Sequence, residues 1–240
     1  MSAGAAAAGW GAVQVVEGAI GTLDRAEVAR MLGYGGRTPE GDAAALVEAC
    51  AAEVEASLTC RACLVRAAVA AAPGGDGVRL GALEVRSAGL ARHLEGCAEA
   101  VAFVATVGGG VDRLLAKYGR LSAARAAAVQ AAGAVAIEAW CDRLCDGWAQ
   151  EAGPGMALRP RFSPGYGGWA LEEGQRGLFA WLEPGKRIGV GLTDGCLMVP
   201  SKSVSAVAGI GSAAEVPPGG CRAGACARCG RTGCAYRRSV

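Results

Sequence analysis

The stretch from Ser122 to Trp148 constrains the chain most. It is mostly alanine, has no proline, and places Ile137, Cys141, Leu144 and Trp148 at i, i+4, i+7 and i+11. Those offsets align four large side chains on one stripe of a helix, and such a stripe needs a core to pack against. Ser122 is a good N-cap for it.

Shorter elements surround this helix. Asp24 opens one, with Glu27 spaced for a capping box and Leu23 and Val28 for a hydrophobic staple; Gly33 ends it before a Tyr34-Gly35-Gly36 turn. Thr38-Pro39 starts a helix predicted over 39–57, and strands are predicted at 62–69 and 78–85 around an Ala72–Gly77 turn. Ser87 caps a short helix, 101–107 reads as a buried strand, and 111–118 as a helix after Gly108-Gly109-Gly110. Residues 153–169 read as loop, 171–182 as helix, 188–194 and 204–210 as strands. Helices and strands alternate too irregularly for a doubly wound sheet and show no solenoid period, so the fold class is α+β, with an antiparallel or mixed sheet. The division expected is an N-terminal tail over 1–20, one domain over 21–211, and a Cys-rich tail over 212–240.

Composition narrows the function classes. The 240 residues suffice for one packed core, and 52% hydrophobic with 19% charged excludes a mainly disordered chain. A net charge of +2 provides no general field for nucleic acid. No apolar run reaches the roughly 18 residues of a spanning helix, so no membrane partner is expected. The apolar start carries no Lys or Arg before Arg25, unlike a secretory leader. Eleven cysteines, an odd number in a chain this long, fit reduced thiols in a cytoplasm better than a disulfide framework.

The charge is uneven. From Ser212 onward there are five Arg and one Glu, a tail of +4, which leaves −2 on the rest; Pro217-Pro218-Gly219-Gly220 marks the hinge. This tail carries Cys221-x4-Cys226-x2-Cys229-x4-Cys234. Four thiolates so spaced can surround Zn²⁺ or ligate an iron–sulfur cluster, and neighbouring arginines favour the thiolate form. The alternative is a set of free, redox-labile thiols.

Other candidates carry less. Gly108-Gly109-Gly110 lacks the Lys and Ser/Thr of a phosphate loop and reads as a turn. His93 is the only histidine, on a helix whose apolar positions are Leu90 and Leu94, which argues against histidine-based hydrolysis. Glu138 lies one residue off the apolar stripe of the long helix, with Asp142 a turn further on, and faces either solvent or a cleft. In Arg161-Phe-Ser-Pro-Gly-Tyr166, the arginine offers a bidentate fork for a carboxylate, and Tyr166 a flat face with a polar tip.

That loop and the later Leu192-Thr-Asp-Gly-Cys-Leu-Met-Val-Pro-Ser-Lys-Ser-Val-Ser205 resemble the activation (reactivation) domain of cobalamin-dependent methionine synthase. The family carries an R-x-x-x-G-Y loop and a T-E-S-x-x-M-x-P-x-x-S-V-S segment. The resemblance is greatest to short, free-standing forms from anaerobic bacteria. It extends to Glu27–Tyr34, Ser87–Asp112, the long helix and Cys234-Ala-Tyr-Arg-Arg238, or roughly residues 22–238.

The resemblance implies a protein that binds S-adenosylmethionine and supports reductive methylation of inactive cob(II)alamin by one electron and the ligand's methyl group. It implies that Arg161 takes the ligand's carboxylate, Glu138 its amino group, and Ser163 and Gly165 backbone contacts, with Tyr166 where ligand and corrin meet. No D-x-H-x-x-G motif is present, so the cobalamin belongs to a partner, expected to be a methionine synthase lacking its own activation domain. An electron donor is expected too, with a cluster on the tail cysteines as relay. The alternatives are a metal-tailed adaptor, or an activator for another corrinoid methyltransferase.

Overall fold

In the computed structural model, which describes residues 11–35, 37–74 and 76–214, the stretch expected to be an N-terminal tail contains a strand. β1 (Gln14–Gly18) pairs antiparallel with β2 (Cys60–Ala71), Gln14 opposite Leu64 and Gly18 opposite Cys60. Only Val16 of β1 is even half-buried, which leaves no alternation for a sequence pattern to register. Asp24 opens α1 (Arg25–Ala29), its Oδ1 accepting from the N–H groups of Ala26 at 2.8 Å and Glu27 at 3.2 Å. The Glu27 carboxylate accepts from Arg30 Nε at 2.7 Å. A π-helical turn, Arg30–Tyr34, follows. Next comes α2 (Gly41–Ser57), starting two residues beyond the position expected for Pro39. Arg25 ties α1 to α2 through Glu48 and Glu55.

The strand expected over 78–85 is a tight hairpin, β3 (Val78–Leu80) and β4 (Leu83–Val85), because Gly81 at φ +55° turns the chain between them. Ser87 Oγ caps α3 (Ala88–His93) by accepting from Leu90 N at 3.1 Å. β5 (Cys97–Thr106) and α4 (Gly110–Leu121) follow. α5 (Ala123–Glu151) starts at its Ser122 cap as expected and buries Ile137, Cys141, Leu144 and Trp148. A short β6 (Met156–Leu158) interrupts the predicted loop, and α6 (Leu171–Leu182) matches its predicted span. The strand expected at 188–194 is instead α7 (Pro184–Ile188) and the first strand of a small pair, β7 (Gly191–Leu192) with β8 (Met198–Val199). Pro184 stands at a favoured helix-start position, and Gly189 at φ +72° closes the turn. β9 (Ser203–Ser212) completes the sheet.

The main sheet is antiparallel, in the order β4-β3-β2-β5-β9-β6, with β1 beside the first half of β2. Side chains alternate between its faces. Ala62, Leu64, Phe103 and Ala105 point to a core shared with α2 and α5; Cys63, Val65, Ala102 and Val104 point to one shared with Trp169 and α6. Both faces are thus covered, and the class is α+β as expected. Alanines at 128, 132 and 136, all fully buried, let α5 sit close on its core, and Trp140 Nε1 donates to Arg61 O at 3.1 Å.

Candidate functional site

The segment 160–166 is seated from three sides. Phe162 exchanges both backbone hydrogen bonds with Val207 of β9, at 2.8 and 2.9 Å, so it extends the sheet by one residue. Strand alternation then sends the Phe162 ring to one face and the flanking Arg161 and Ser163 to the other, towards α5. The Phe162 ring lies 4.9 Å from His93 and 6.4 Å from Trp169, centroid to centroid. His93 Nε2 donates to Pro160 O at 2.8 Å. Gly89 of α3 approaches the loop so closely that a Cβ there would stand 1.7 Å from Gly167 O. Beyond Pro164 the chain closes on itself: Gly165 N donates to Trp169 O at 2.8 Å and Trp169 N to Tyr166 O at 2.9 Å.

This seating brings Arg161 against α5, 23 positions away. Its Nη2 donates to Glu138 Oε2 at 2.5 Å. Nη1 lies 3.0 Å from Asp142 Oδ1 without hydrogen-bond geometry, and is buried with no hydrogen-bond partner. Burial disfavours the charge on Arg161, but the acidic groups around it, Glu138 and Asp142 among them, outweigh this and hold the guanidinium pKa above its usual value.

These groups line a cleft of about 980 Å³ between α5, the segment 156–166, α6 and the start of β9. Glu138, Asp142 and Asp146 descend α5 at one-turn intervals into it, opposite Arg159 and Arg161. Three carboxylates against two guanidiniums favour a ligand that brings a cation to the α5 side and an anion to Arg161. Cys145 also lines the cleft, its thiol pushed by burial up to about 11, and burial raises Cys141 as well. Both are neutral thiols at neutral pH and add no charge.

Of the residues expected to form a site, Glu138, Arg161, Ser163 and Tyr166 share this cleft. Tyr166 stands at its mouth, 69% exposed. Gly165, at φ +92°, does not line it, and its N–H is engaged within the turn. A larger cavity of about 1500 Å³, between the α1 region and α5, lies beyond Glu138 and Asp142, which line both. Gln175 lines the smaller cleft and was not anticipated, whereas Ser203 and Ser205, which line it too, belong to the Leu192–Ser205 segment that carries the resemblance. Gln175 had a signal: it occupies the buried stripe of α6 with Leu178 and Leu182.

The remaining candidates resolve simply. Gly110 packs against α2, where a Cβ would lie 2.2 Å from Ser57 O, so the glycine cluster serves a close contact as the turn reading implies. His93 is half-buried, and its pKa is lowered by burial. Among the described residues no group of three or more His, Cys, Asp or Glu is placed to hold a metal, and no helix is long and apolar enough to cross a membrane. Cys221, Cys226, Cys229 and Cys234 lie outside the described residues.

Neither a family model nor a curated protein matches the chain. Solved structures do. The crystal structure of the MetH reactivation domain bound to AdoHcy superposes with a TM-score of 0.59 at 19% identity, over 83% of this chain and 78% of that one. The fold of this chain is therefore that of a reactivation domain.

Proposed function

We propose that the cleft binds S-adenosylmethionine and presents its methyl group to a cobalamin carried by a partner, a methionine synthase without an activation domain of its own. The observation that carries this reading is the Arg161–Glu138–Asp142 cluster, set in a reactivation-domain fold whose solved counterpart holds AdoHcy. A methionine moiety is a zwitterion with a sulfonium further along. Arg161 takes its carboxylate with the Nη1 that now lacks a hydrogen bond, and Glu138 turns to its ammonium; the α5 carboxylates favour the positive sulfur. Ser163 contributes a backbone contact from the cleft wall, and Gly165, outside the lining, shapes the turn that presents Tyr166.

Tyr166, exposed at the mouth, lies between ligand and corrinoid. The reduced corrinoid supplies the nucleophile, so this chain needs only to orient the methyl donor and exclude alternatives. That agrees with a cleft whose thiols are neutral and whose nearby histidine supports the loop. The tail cysteines hold an iron–sulfur cluster that relays the required electron from a donor.

Calorimetric titration of S-adenosylmethionine into the wild type and Arg161→Ala tests the reading. Saturable binding that the substitution abolishes is expected. No binding, with the partner's cobalamin domain present as well, removes the assignment.

A further inference from the structure

One wall of the cleft carries a polar group that this function does not use. Gln175 lies on α6, 6% exposed and lining the cleft, and its Oε1 is buried with no hydrogen-bond partner. The helix around it cannot easily yield. Gly174 is wedged under the loop, where a Cβ would meet Trp169 Nε1 at 2.6 Å and Pro164 Cβ at 2.9 Å. An amide held on the buried stripe of a helix, facing a cavity and left unpaired, is poised for a partner that the protein itself does not supply.

The chemistry of the two walls separates what each can take. The α5 side is charged, through Glu138, Asp142 and Arg161, whereas Pro164 and Met198, which pack on the α6 side near Gln175, carry no charge. A carboxamide offers one acceptor and one donor side by side, the pattern that matches the edge of adenine, with its 6-amino donor beside a ring nitrogen acceptor.

We propose that Gln175 is the specificity-determining residue for the nucleobase, accepting from the 6-amino group of an adenine seated against α6. This rests on the reading of the cleft as an S-adenosylmethionine site, and assigns the end of the ligand opposite the zwitterion.

The test compares binding of S-adenosylhomocysteine with that of its purine analogue lacking the 6-amino group, by calorimetry on the full chain. The wild type binds the adenine compound about tenfold or more tightly, since a buried acceptor left unpaired rejects the analogue. Gln175→Met, which keeps side-chain length but removes the amide, binds both about equally. Gln175→Glu, which keeps an acceptor, retains the preference. A general packing defect lowers both affinities together and leaves their ratio unchanged, so a Met variant with the wild-type ratio overturns the assignment. Equal binding of the two compounds by the wild type overturns it too, while leaving the S-adenosylmethionine reading intact; binding of neither removes both.

Discussion

Glu138 Oε2 lies 2.5 Å from Arg161 Nη2, joining the middle of the longest helix to a loop that enters the sheet as a single bridged residue. Glu138 is 51% exposed in its side chain and Arg161 20%. The pair thus sits at an open cleft wall, and water can replace either partner when a ligand separates them.

Such a pair contributes little to folding. In a double-mutant cycle with Arg161→Ala and Glu138→Ala, denaturant unfolding of the unliganded protein is expected to give a coupling of at most about 1 kcal/mol. Each single substitution weakens S-adenosylmethionine binding by about tenfold or more, as loss of a hydrogen bond to a charged group does. A coupling near 3 kcal/mol would place the pair in the structural framework of the domain.

Gly89 touches no ligand in the proposed arrangement, yet it positions the loop. In Gly89→Ala the new methyl would stand 1.7 Å from Gly167 O, a backbone atom, so α3 and the loop must separate. Overpacking of this kind costs about 1–3 kcal/mol. Binding to the cleft should weaken along with it, because Arg161 shifts away from α5. A thermal melt and a titration of the same sample check both; unchanged affinity would show that the loop is positioned independently of α3.

His93 predicts a pH dependence of stability. Burial lowers its pKa from 6.5, so the neutral ring is favoured in the fold, where Nε2 donates to Pro160 O. A depressed folded value means stability is complete above 6.5 and is lost as pH falls through the folded pKa. Melting temperatures measured from pH 7.5 down to about pH 5 should decline in the wild type. In His93→Gln, which can still donate to the carbonyl but does not titrate, the decline should be shallower. Parallel curves would assign the acid sensitivity to other groups.

The proposed cluster predicts a clean separation of metal from ligand. Anaerobically purified protein should contain iron and sulfide. A variant with Cys221, Cys226, Cys229 and Cys234 all replaced by Ser should contain neither, while Cys145→Ser keeps both. Zinc in place of iron would favour a structural tail, and loss of iron in Cys145→Ser would move the ligands into the cleft.

Much of the fold was legible because it rests on local chemistry. The Asp24, Ser87 and Ser122 caps each form, and the stripe Ile137–Cys141–Leu144–Trp148 is buried, since caps and helical periodicity act within a turn or two of the chain. The errors lie where partners come from afar. β1 is a strand only because β2 pairs with it, β6 only because β9 does, and the predicted strand at 188–194 yields to a helix turn that Pro184 and Gly189 enforce.

The site divides in the same way. The residue types were present in the sequence: a guanidinium, a helix carboxylate, a Gly-Tyr turn. Their meeting was implied by the resemblance alone, not by the spacing of the residues. Whether Glu138 faces water or a cleft depends on which loop covers α5, and that is decided by Phe162 bridging Val207 and turning Arg161 to the opposite face. Side-chain periodicity determines which face of an element is apolar; only long-range pairing of backbone hydrogen bonds decides which elements bring their polar edges together, because that choice depends on contacts with no local signature.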